Sequence, residues 1–201
     1  MNILAIESAS DTFSVSLQTD NELITKESRE FRSASEKCAE YVSNLLIENN
    51  LKASDISYIC VNKGPGSFTG LRVALSFAQG FAFPNHTPIL GLNAFELLHH
   101  KSAYPDYYGV IECKRDELYI SKSDLRIDKI KKKDLPGLLS GQAIITNDRK
   151  DLDRYLDDKQ IIIRTVNSEN LIDLFHDRLS ANNLQDEDQI QLLYLNTFSK
   201  K

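Results

Sequence analysis

Three glycines, Gly64, Gly66 and Gly70, lie within seven positions of the sequence, between the apolar run 56–61 and an apolar segment that begins at Leu71. A strand, a glycine-rich loop and a helix in that order are typical of a phosphate cradle, because backbone N–H groups can approach an anion where there is no side chain. The segment lacks the Gly-Lys-Ser/Thr ending of a Walker loop, and its glycine spacing differs from that of a dinucleotide loop. Neither nucleotide loop is therefore predicted.

Ser67 and Thr69 are the hydroxyl groups of this loop. No histidine or lysine is placed by a local pattern to activate either of them as a nucleophile, which favours a capping role at the start of the following helix. The loop is then mechanical: Pro65 stiffens the turn, Gly64 and Gly66 take dihedrals that side chains forbid, and Gly70 permits a close helix crossing. The predicted structural loop consists of Gly64, Pro65, Gly66, Ser67, Phe68, Thr69, Gly70 and Arg72.

The metal-binding and redox-active residue types give no site. The four histidines include no pair at i, i+4, so a helical metal site is unsupported; they are His86, His99, His100 and His176. The three cysteines are odd in number and set among apolar neighbours, which indicates reduced core thiols; they are Cys38, Cys60 and Cys113. We expect no metal and no disulfide.

The loop is preceded by a regular series of elements. Residues 3–7, 12–18 and 22–28 read as three strands joined by short turns, which predicts an antiparallel meander. A helix over 33–50 follows, with Ser33 or Ser35 as its N-cap. The run 56–61 is too uniformly apolar to face water, so we expect a central strand parallel to its neighbours.

The segment after the loop, 71–83, is apolar around almost its whole circumference, whereas a surface helix would show one apolar stripe. One face can lie on the sheet, and the other needs a second layer or another subunit. A strand at 88–92 follows, and Asn93 with Glu96 predicts a capping box at the start of the next helix.

A second, less regular series of strands and helices begins near Tyr104. Strands are predicted at 107–113, 117–123, 125–130, 142–146 and 161–166, with short helices near Leu135 and over 152–156 and a longer one around Leu171–Leu179. The final segment, 188–198, is amphipathic, and its pattern fits either a terminal helix or an ordered tail. This order predicts an α/β protein with a duplicated ribonuclease-H-like, actin-like ATPase (ASKHA) fold, divided into subdomains at 1–103 and 104–201.

Actin-like ATPases hold phosphates with two turns, the first following the first strand and the second built on Asp-x-Gly, and hold adenosine with a later glycine-rich loop. Here the first turn has Glu7 and Asp11 but neither glycine nor lysine, and no glycine occurs after Gly141. We therefore expect no nucleotide and no other cofactor bound by this chain alone.

Composition limits the class of protein. With 201 residues and 41% hydrophobic content the chain can build a core without metals or disulfides, and a net charge of -5 argues against gripping nucleic acid by itself. The basic run Lys129, Lys131, Lys132 and Lys133 is typical of a solvated loop or a sheet edge. No apolar stretch is long enough for a membrane span and no leader is evident, so we expect a soluble cytoplasmic protein.

The nonapeptide 64–72, "GPGSFTGLR", after an apolar strand, and "ILAIESA" at 3–9, strongly resemble the bacterial TsaB family, also called YeaZ-like, inactive actin-fold relatives of TsaD. The pair "IECKRDELY" at 111–119 is similar to the family's Asp-Ala-Arg-x-x-Glu-x-Tyr strand pair and keeps Glu117 and Tyr119. Two family features differ: Ala34-Ser35 stands where His-Ser or His-Thr is usual, and 192–196 replaces a terminal Pro-x-Tyr-x-Arg.

The resemblance implies a non-catalytic subunit in the synthesis of threonylcarbamoyladenosine in tRNA. It implies docking on TsaD through the first helix and the helix after the glycine loop, a homodimer when alone, the ATPase TsaE in the larger assembly, and tRNA contact only through the complex. The implied partner-binding residues are Cys38, Tyr41, Val42, Leu45, Gly70, Leu71, Ala74, Leu75, Phe77, Ala78 and Phe81. We expect Ala74→Glu or Phe77→Asp to abolish docking while leaving the fold intact.

Two other classes stay open at this point. One is an enzyme, either an actin-like small-molecule kinase or a peptidase, although the phosphate turns and a nucleophile–base set are missing. The other is a paralogue that has lost its role in tRNA modification.

Overall fold

The computed structural model describes residues 1–10, 12–29, 33–104, 106–114, 116–139, 142–147, 151–157, 160–184, 190 and 192–193. These residues form two five-stranded sheets. The first sheet contains β1 Asn2–Glu7, β2 Phe13–Gln18, β3 Leu23–Ser28, β4 Ile56–Gly64 and β5 Ile89–Asn93.

The order of the first sheet is β3-β2-β1-β4-β5. β2 is antiparallel to β1 and β3, and β4 is parallel to both β1 and β5. The predicted meander and the central parallel strand are therefore confirmed.

The first-half helices are α1 Ser33–Glu48, α2 Phe68–Ala82 and α3 Ala94–His99. Ser67 caps α2 by accepting a hydrogen bond from the N–H of Gly70 at 3.3 Å. It is one of the two residues, Ser67 and Thr69, whose hydroxyl was predicted to cap this helix. The predicted capping box of α3 is present: Asn93 N–H donates to Glu96 at 3.0 Å, and the Asn93 side chain accepts from Phe95 N–H at 2.8 Å. The capping position of α1 lies outside the described residues, and Ser35, a predicted cap, lies inside the helix.

The second half repeats the strand order of the first. Its elements are β6 Tyr107–Lys114, β7 Glu117–Ser121, β8 Ile127–Lys131, α4 Leu135–Leu139, β9 Ala143–Thr146, β10 Ile161–Ile163 and α5 Ser168–Ser180. The sheet order β8-β7-β6-β9-β10 matches β3-β2-β1-β4-β5 position by position. The duplicated α/β fold predicted from the element order is confirmed, although the predicted helix over 152–156 is a 3₁₀ turn, Leu152–Arg154, and most of the C-terminal amphipathic segment lies outside the described residues.

Both faces of the first sheet are covered. Leu4 and Ile6 point to the face where α1 and α2 pack, and Ile3 and Ala5 point to the opposite face, as the two-residue period of a strand requires. That opposite face is covered by α5, which contacts β1, β2 and β4. The subdomain boundary at residues 103 and 104 stays a prediction, and α5, from the second part of the sequence, completes the core of the first sheet.

Candidate partner-binding surface

The glycine loop is closed onto the turn that follows β1. Gly64 has φ +99°, a conformation that L side chains rarely adopt. The loop then holds the turn by backbone hydrogen bonds, with Ser67 N–H donating to Ala9 C=O at 2.9 Å and the Ser8 hydroxyl donating to Gly70 C=O at 2.7 Å. The glycines therefore allow the start of α2 to lie directly against the first turn.

The other two glycines are required by space. A Cβ at Gly66 would lie 2.7 Å from the Ala9 Cβ, and a Cβ at Gly70 would lie 1.8 Å from the Ser8 carbonyl oxygen. Gly66 has no positive φ, so its predicted special dihedral is wrong, and contact with Ala9 replaces it as the reason for glycine. The close approach predicted at Gly70 is made by the chain's own first turn.

Glu7 lies beneath this turn, at the end of β1. Its side chain is completely buried and accepts hydrogen bonds from Ala9 N–H at 2.7 Å and from the Asn62 amide at 2.8 Å. Burial raises the pKa of Glu7 to about 7, against the opposing effect of the hydrogen bonds from Asn62 and from the backbone N–H groups of residues 8–10. Asp11, the other carboxylate of the predicted phosphate turn, lies outside the described residues.

The inner face of α2 belongs to the chain's own core. Leu71, Ala74, Leu75 and Ala78 are buried there, and Gly70 is buried against the first turn. In α1 the same is true of Cys38, Val42 and Leu45. Eight of the predicted partner-binding residues are therefore buried within the chain's own fold, and their binding of a partner stays a prediction.

The outer face of α2 contains the predicted residues that solvent still reaches. Phe77 and Phe81 are half-buried and stack with ring centroids 5.9 Å apart, while Tyr41 on α1 stacks on Phe13 at 5.8 Å. Beside the Phe77–Phe81 pair, Gly80 faces open space. Binding of a partner by these three aromatic residues stays a prediction.

Sequence analysis did not predict the exposure of three apolar side chains at the ends of the two helices. Phe83 is 77% exposed, Ile47 is 70% exposed and Phe68 is 52% exposed. Each comes at or beyond the end of a helical apolar pattern, where periodicity does not distinguish a core position from a surface one. One face of the Phe68 ring is covered by Arg72, whose guanidinium lies 3.7 Å from the ring centroid.

Beyond the exposed Arg72 in its first turn, the outer side of α2 is also uncharged. No Asp, Glu, Lys or Arg occurs between Arg72 and Glu96. The surface of α5, by contrast, carries Glu169, Asp173, Asp177 and Arg178. We call the set Val73, Ser76, Phe77, Gln79, Gly80, Phe81 and Phe83 the α2 outer face.

A concave region lies at the junction of the two halves. A pocket of about 490 Å³ is lined by residues of α3, the segment 102–107, the end of β7 and α5. Both histidines at this pocket have a hydrogen-bond partner: His99 Nδ1 lies 2.8 Å from the Tyr107 hydroxyl and His100 Nε2 lies 2.6 Å from Asp177. Sequence analysis did not find this cluster, since members in contact such as His100 and Asp177 are 77 residues apart.

His99 is the titratable group of this junction whose pKa moves most. Burial, followed by the positive charge of Arg164, lowers its pKa to about 4. Its Nε2 atom is buried and has no hydrogen-bond partner among the described residues. That atom lies against Gly109, where an added Cβ would come within 2.9 Å of it.

The remaining chemical candidates are structural. Cys38 and Cys60 are buried, and burial raises the pKa of Cys38 to about 12. Lys129 bonds Glu117 at 2.6 Å on β8, an edge strand as predicted, whereas Lys132, expected to be solvated, is buried against Glu112 at 2.6 Å. Within the described ranges no group of three His, Cys, Asp or Glu side chains could hold a metal ion. None of the helices that the structure describes is long and apolar enough to cross a membrane.

The duplicated sheet order and the closed glycine loop define an actin-like, ribonuclease-H-like protein. The family model for TsaD, tRNA N6-adenosine threonylcarbamoyltransferase, matches residues 29–146. The chain therefore belongs to this family, in its TsaB (YeaZ-like) group.

The curated relatives to which the chain is similar include members of the TsaB group. TsaB of Escherichia coli (strain K12), a tRNA threonylcarbamoyladenosine biosynthesis protein, is 31% identical over 93 residues, which are 46% of this chain and 40% of the relative. TsaB of Buchnera aphidicola subsp. Acyrthosiphon pisum is 28% identical over 132 residues, 60% of this chain and 56% of the relative. The chain spans about half the length of the curated relatives it matches.

The fold is shared with a solved structure. YeaZ from Pseudomonas aeruginosa matches with a TM-score of 0.76 and 18% identity, covering 96% of this chain and 99% of that one. At this identity the likeness shows the fold alone, and it extends through both halves of the molecule.

Proposed function

We propose that the chain is a non-catalytic subunit in the synthesis of threonylcarbamoyladenosine in tRNA, and that it docks on TsaD through the α2 outer face. Family membership and the names of its relatives support the pathway. The observation that carries the docking surface is that the α2 outer face is solvent-accessible yet uncharged, with a stacked phenylalanine pair at its centre.

The chemistry of this face suits a protein partner. Specific interfaces are depleted of charge at their centre and enriched in aromatic residues, and each buried phenylalanine contributes about 25 cal/mol per Å² of apolar area removed from water. Gly80 adds an open position at which a second helix can approach the backbone closely. The same face, on a second copy of the chain, would support a homodimer when TsaD is absent.

The eight buried residues have a supporting role in this proposal. Side chains such as Leu45, Leu71 and Ala74 fix α1 and α2 on the sheet and thereby set the shape of the outer face. The expectation that Ala74→Glu leaves the fold intact is therefore replaced: a carboxylate at this buried position would destabilise the chain itself. Phe77→Asp remains a suitable test, because Phe77 is half-buried.

We also propose that the chain binds no nucleotide by itself and acts in the cytoplasm, with TsaE and tRNA reached through the assembly. What supports the first point is the contact of the first turn with Gly66 and Gly70. Where a methyl group does not fit, a phosphate does not fit either. Calorimetry of the purified chain with magnesium and ATP should show no binding, and tight magnesium-dependent binding would support the kinase alternative.

The docking experiment is co-expression of the tagged chain with TsaD of the same organism, followed by affinity purification. TsaD should co-purify with the wild type and be lost with Phe77→Asp. Leu138→Asp is the matched control, since Leu138 is an exposed leucine on α4 in the second half. Retention of TsaD by a folded Phe77→Asp variant would contradict the surface, and failure of the wild type to retain TsaD would contradict the partner. Mass spectrometry of the modified nucleoside reports on the pathway separately.

A further inference from the structure

We propose that the end of β4, beside the glycine loop, is a binding site for a short aliphatic peptide, and that segment 190–193 of the chain itself occupies it in this structure. The site holds its peptide through one backbone hydrogen bond and two aliphatic side chains. This inference concerns the chain's own first half and does not depend on whether TsaD is the partner.

A backbone hydrogen bond attaches the segment to β4. Leu193 N–H donates to the Lys63 carbonyl oxygen at 2.8 Å. Lys63 lies where the register of β4 against β5 shifts, between Asn62 and Gly64. A residue at such a bulge is left out of the regular ladder of strand hydrogen bonds. Its carbonyl group can therefore accept from a segment that lies outside the sheet.

The backbone of the segment also lies close to Gly64. The Leu193 carbonyl oxygen is 3.6 Å from the position that a Cβ of Gly64 would take, which is van der Waals distance. The N–H and the C=O of one residue thus both lie against the end of β4. Main-chain contact of this kind supplies affinity where proteins bind an extended peptide beside a strand.

Two aliphatic side chains hold the segment on the first half. Ile190 is 9% exposed and belongs to the apolar cluster that the first sheet forms with α1 and α2, and Leu192 packs against the same cluster. Residues two positions apart lie on the same side of an extended chain. Their spacing therefore matches an extended peptide that turns alternate side chains toward an apolar surface.

The segment makes a contact of its own and does not continue the packing of α5. Leu184, which follows α5, packs with the other apolar cluster, the one that contains Leu171 and Phe175 of that helix. Ile190, a few positions later, lies in the cluster of α1 and α2. The chain thus carries its own peptide ligand on a short tether, and such a tether gives an effective concentration on the order of millimolar.

The test measures binding of a fluorescein-labelled peptide of residues 186–197 to full-length protein by fluorescence anisotropy. In Ile190→Asp, a carboxylate at a buried apolar position should displace the chain's own segment and open the site. In the wild type the tethered segment competes with the peptide. The peptide should therefore bind Ile190→Asp at least about tenfold more tightly than the wild type. Equal affinities, or no binding to either protein, would overturn the proposal.

Two controls show whether binding depends on the segment. Leu179→Asp places a carboxylate on α5 at a position that is 39% exposed, so this variant keeps its own segment in the site and should bind the peptide as the wild type does. A labelled peptide that itself carries Ile190→Asp should not bind the opened protein. Unchanged binding of that peptide, or tight binding of the normal peptide by Leu179→Asp, would mean unspecific apolar adsorption and would also overturn the proposal.

Leu193→Pro keeps the inference testable if circular dichroism shows that Ile190→Asp does not fold. Proline has no N–H, so the bond to Lys63 is lost, while the residue before a proline still favours an extended conformation. The labelled peptide should bind Leu193→Pro at least about threefold more tightly than the wild type, since one hydrogen bond of the competing segment is missing. An affinity equal to that of the wild type would contradict the site, because the segment would then not depend on the bond that defines it.

Discussion

The two halves of the molecule share a strand order but differ in what covers their sheets. In the first half β3 is followed by the sixteen-residue α1 and β4 by the fifteen-residue α2. At the corresponding places the second half has the five-residue α4 after β8 and a three-residue 3₁₀ turn after β9. Among the described residues the second half therefore keeps the same strand order with shorter helical elements than the first half. The longer helices of the first half include the α2 outer face.

The largest expected effect on the stability of the first half comes from Gly70→Ala. In a helix this change usually stabilises, but here the new Cβ would lie 1.8 Å from a carbonyl oxygen of the first turn. We expect the free energy of unfolding to fall by about 4 kcal/mol or more, as for severe overpacking. Urea unfolding measures it.

Gly80→Ala is the control in the same helix. Nothing lies within 4 Å of a Cβ at Gly80. The gain in helix propensity should therefore raise the free energy of unfolding by up to about 1 kcal/mol. Similar effects at the two glycines would show that the contact between α2 and the first turn is not what requires Gly70.

The next largest effect is the dependence of stability on pH. Glu7 has its ordinary pKa of 4.5 raised to about 7, so between these values the unfolded chain loses a proton that the folded chain keeps. Its contribution is present below pH 4.5 and is lost as the pH rises to 7, by about 3 kcal/mol. His99 acts with the opposite sign: with its pKa lowered from 6.5 to about 4, it makes stability rise with pH across that interval.

These slopes oppose each other in the wild type, and single variants should separate them. The stability of Glu7→Gln should rise from pH 4 to 6.5, and that of His99→Gln should fall from pH 4.5 to 7. Chemical denaturation at a series of pH values measures both. Parallel curves for the two variants would contradict this assignment.

A smaller effect is expected at the buried ion pair of the second half. Lys132 Nζ lies 2.6 Å from Glu112, and the Lys132 side chain is buried. Glu112→Gln leaves a buried ammonium without its carboxylate and should cost about 2 kcal/mol, reduced from the value for a fully buried pair because Glu112 is partly exposed. Thermal unfolding measures it. Replacing both partners, Glu112→Leu with Lys132→Met, should recover most of the loss, and a double variant no better than the single one would argue against the pair.

The smallest effect is expected at the exposed pair of the first half. Lys26 and Glu48 are 2.8 Å apart at the surface. Lys26→Met should change the free energy of unfolding by less than about 0.5 kcal/mol, and added salt should reduce that change further. A loss as large as that of Glu112→Gln would mean that burial does not separate the two pairs.

Local sequence patterns predicted the helices, strands and caps well, but they did not predict which parts of the chain pack against one another. The Asn93–Glu96 capping box and the Ser67 cap depend on residues three positions apart, and both are confirmed. The resemblance implied Cys38, Val42 and Leu45 of α1 as partner-binding residues, but the local sequence does not state whether a sheet or a partner covers that face. Gly70 contacts Ser8 across 62 residues, so its reason is not readable from the loop alone.

The site was predictable to the same extent. The apolar circumference of α2 predicted a face that needs cover, the resemblance implied Phe77 and Phe81 as partner-binding residues, and both remain accessible. The exposure of Phe83 and Ile47 was not predicted, because the apolar period of a helix gives little information at the end of that helix. Glu7 was noted only as part of an incomplete phosphate turn, because its donors come from Asn62 and from the backbone.

The packing of α5 on the first sheet has a consequence for biosynthesis. Phe175 lies with its ring centroid 5.0 Å from that of Tyr58, and Ser168 N–H donates to Ser14 at 2.8 Å, so the first sheet gains its second cover from residues translated long after its strands. A nascent chain that ends at residue 103 leaves open to water the part of that sheet side which α5 covers, on β1, β2 and β4. The ribosome must therefore deliver nearly the whole sequence before the earliest strands are sheltered, and a chaperone that recognises apolar strands would meet this chain during that interval.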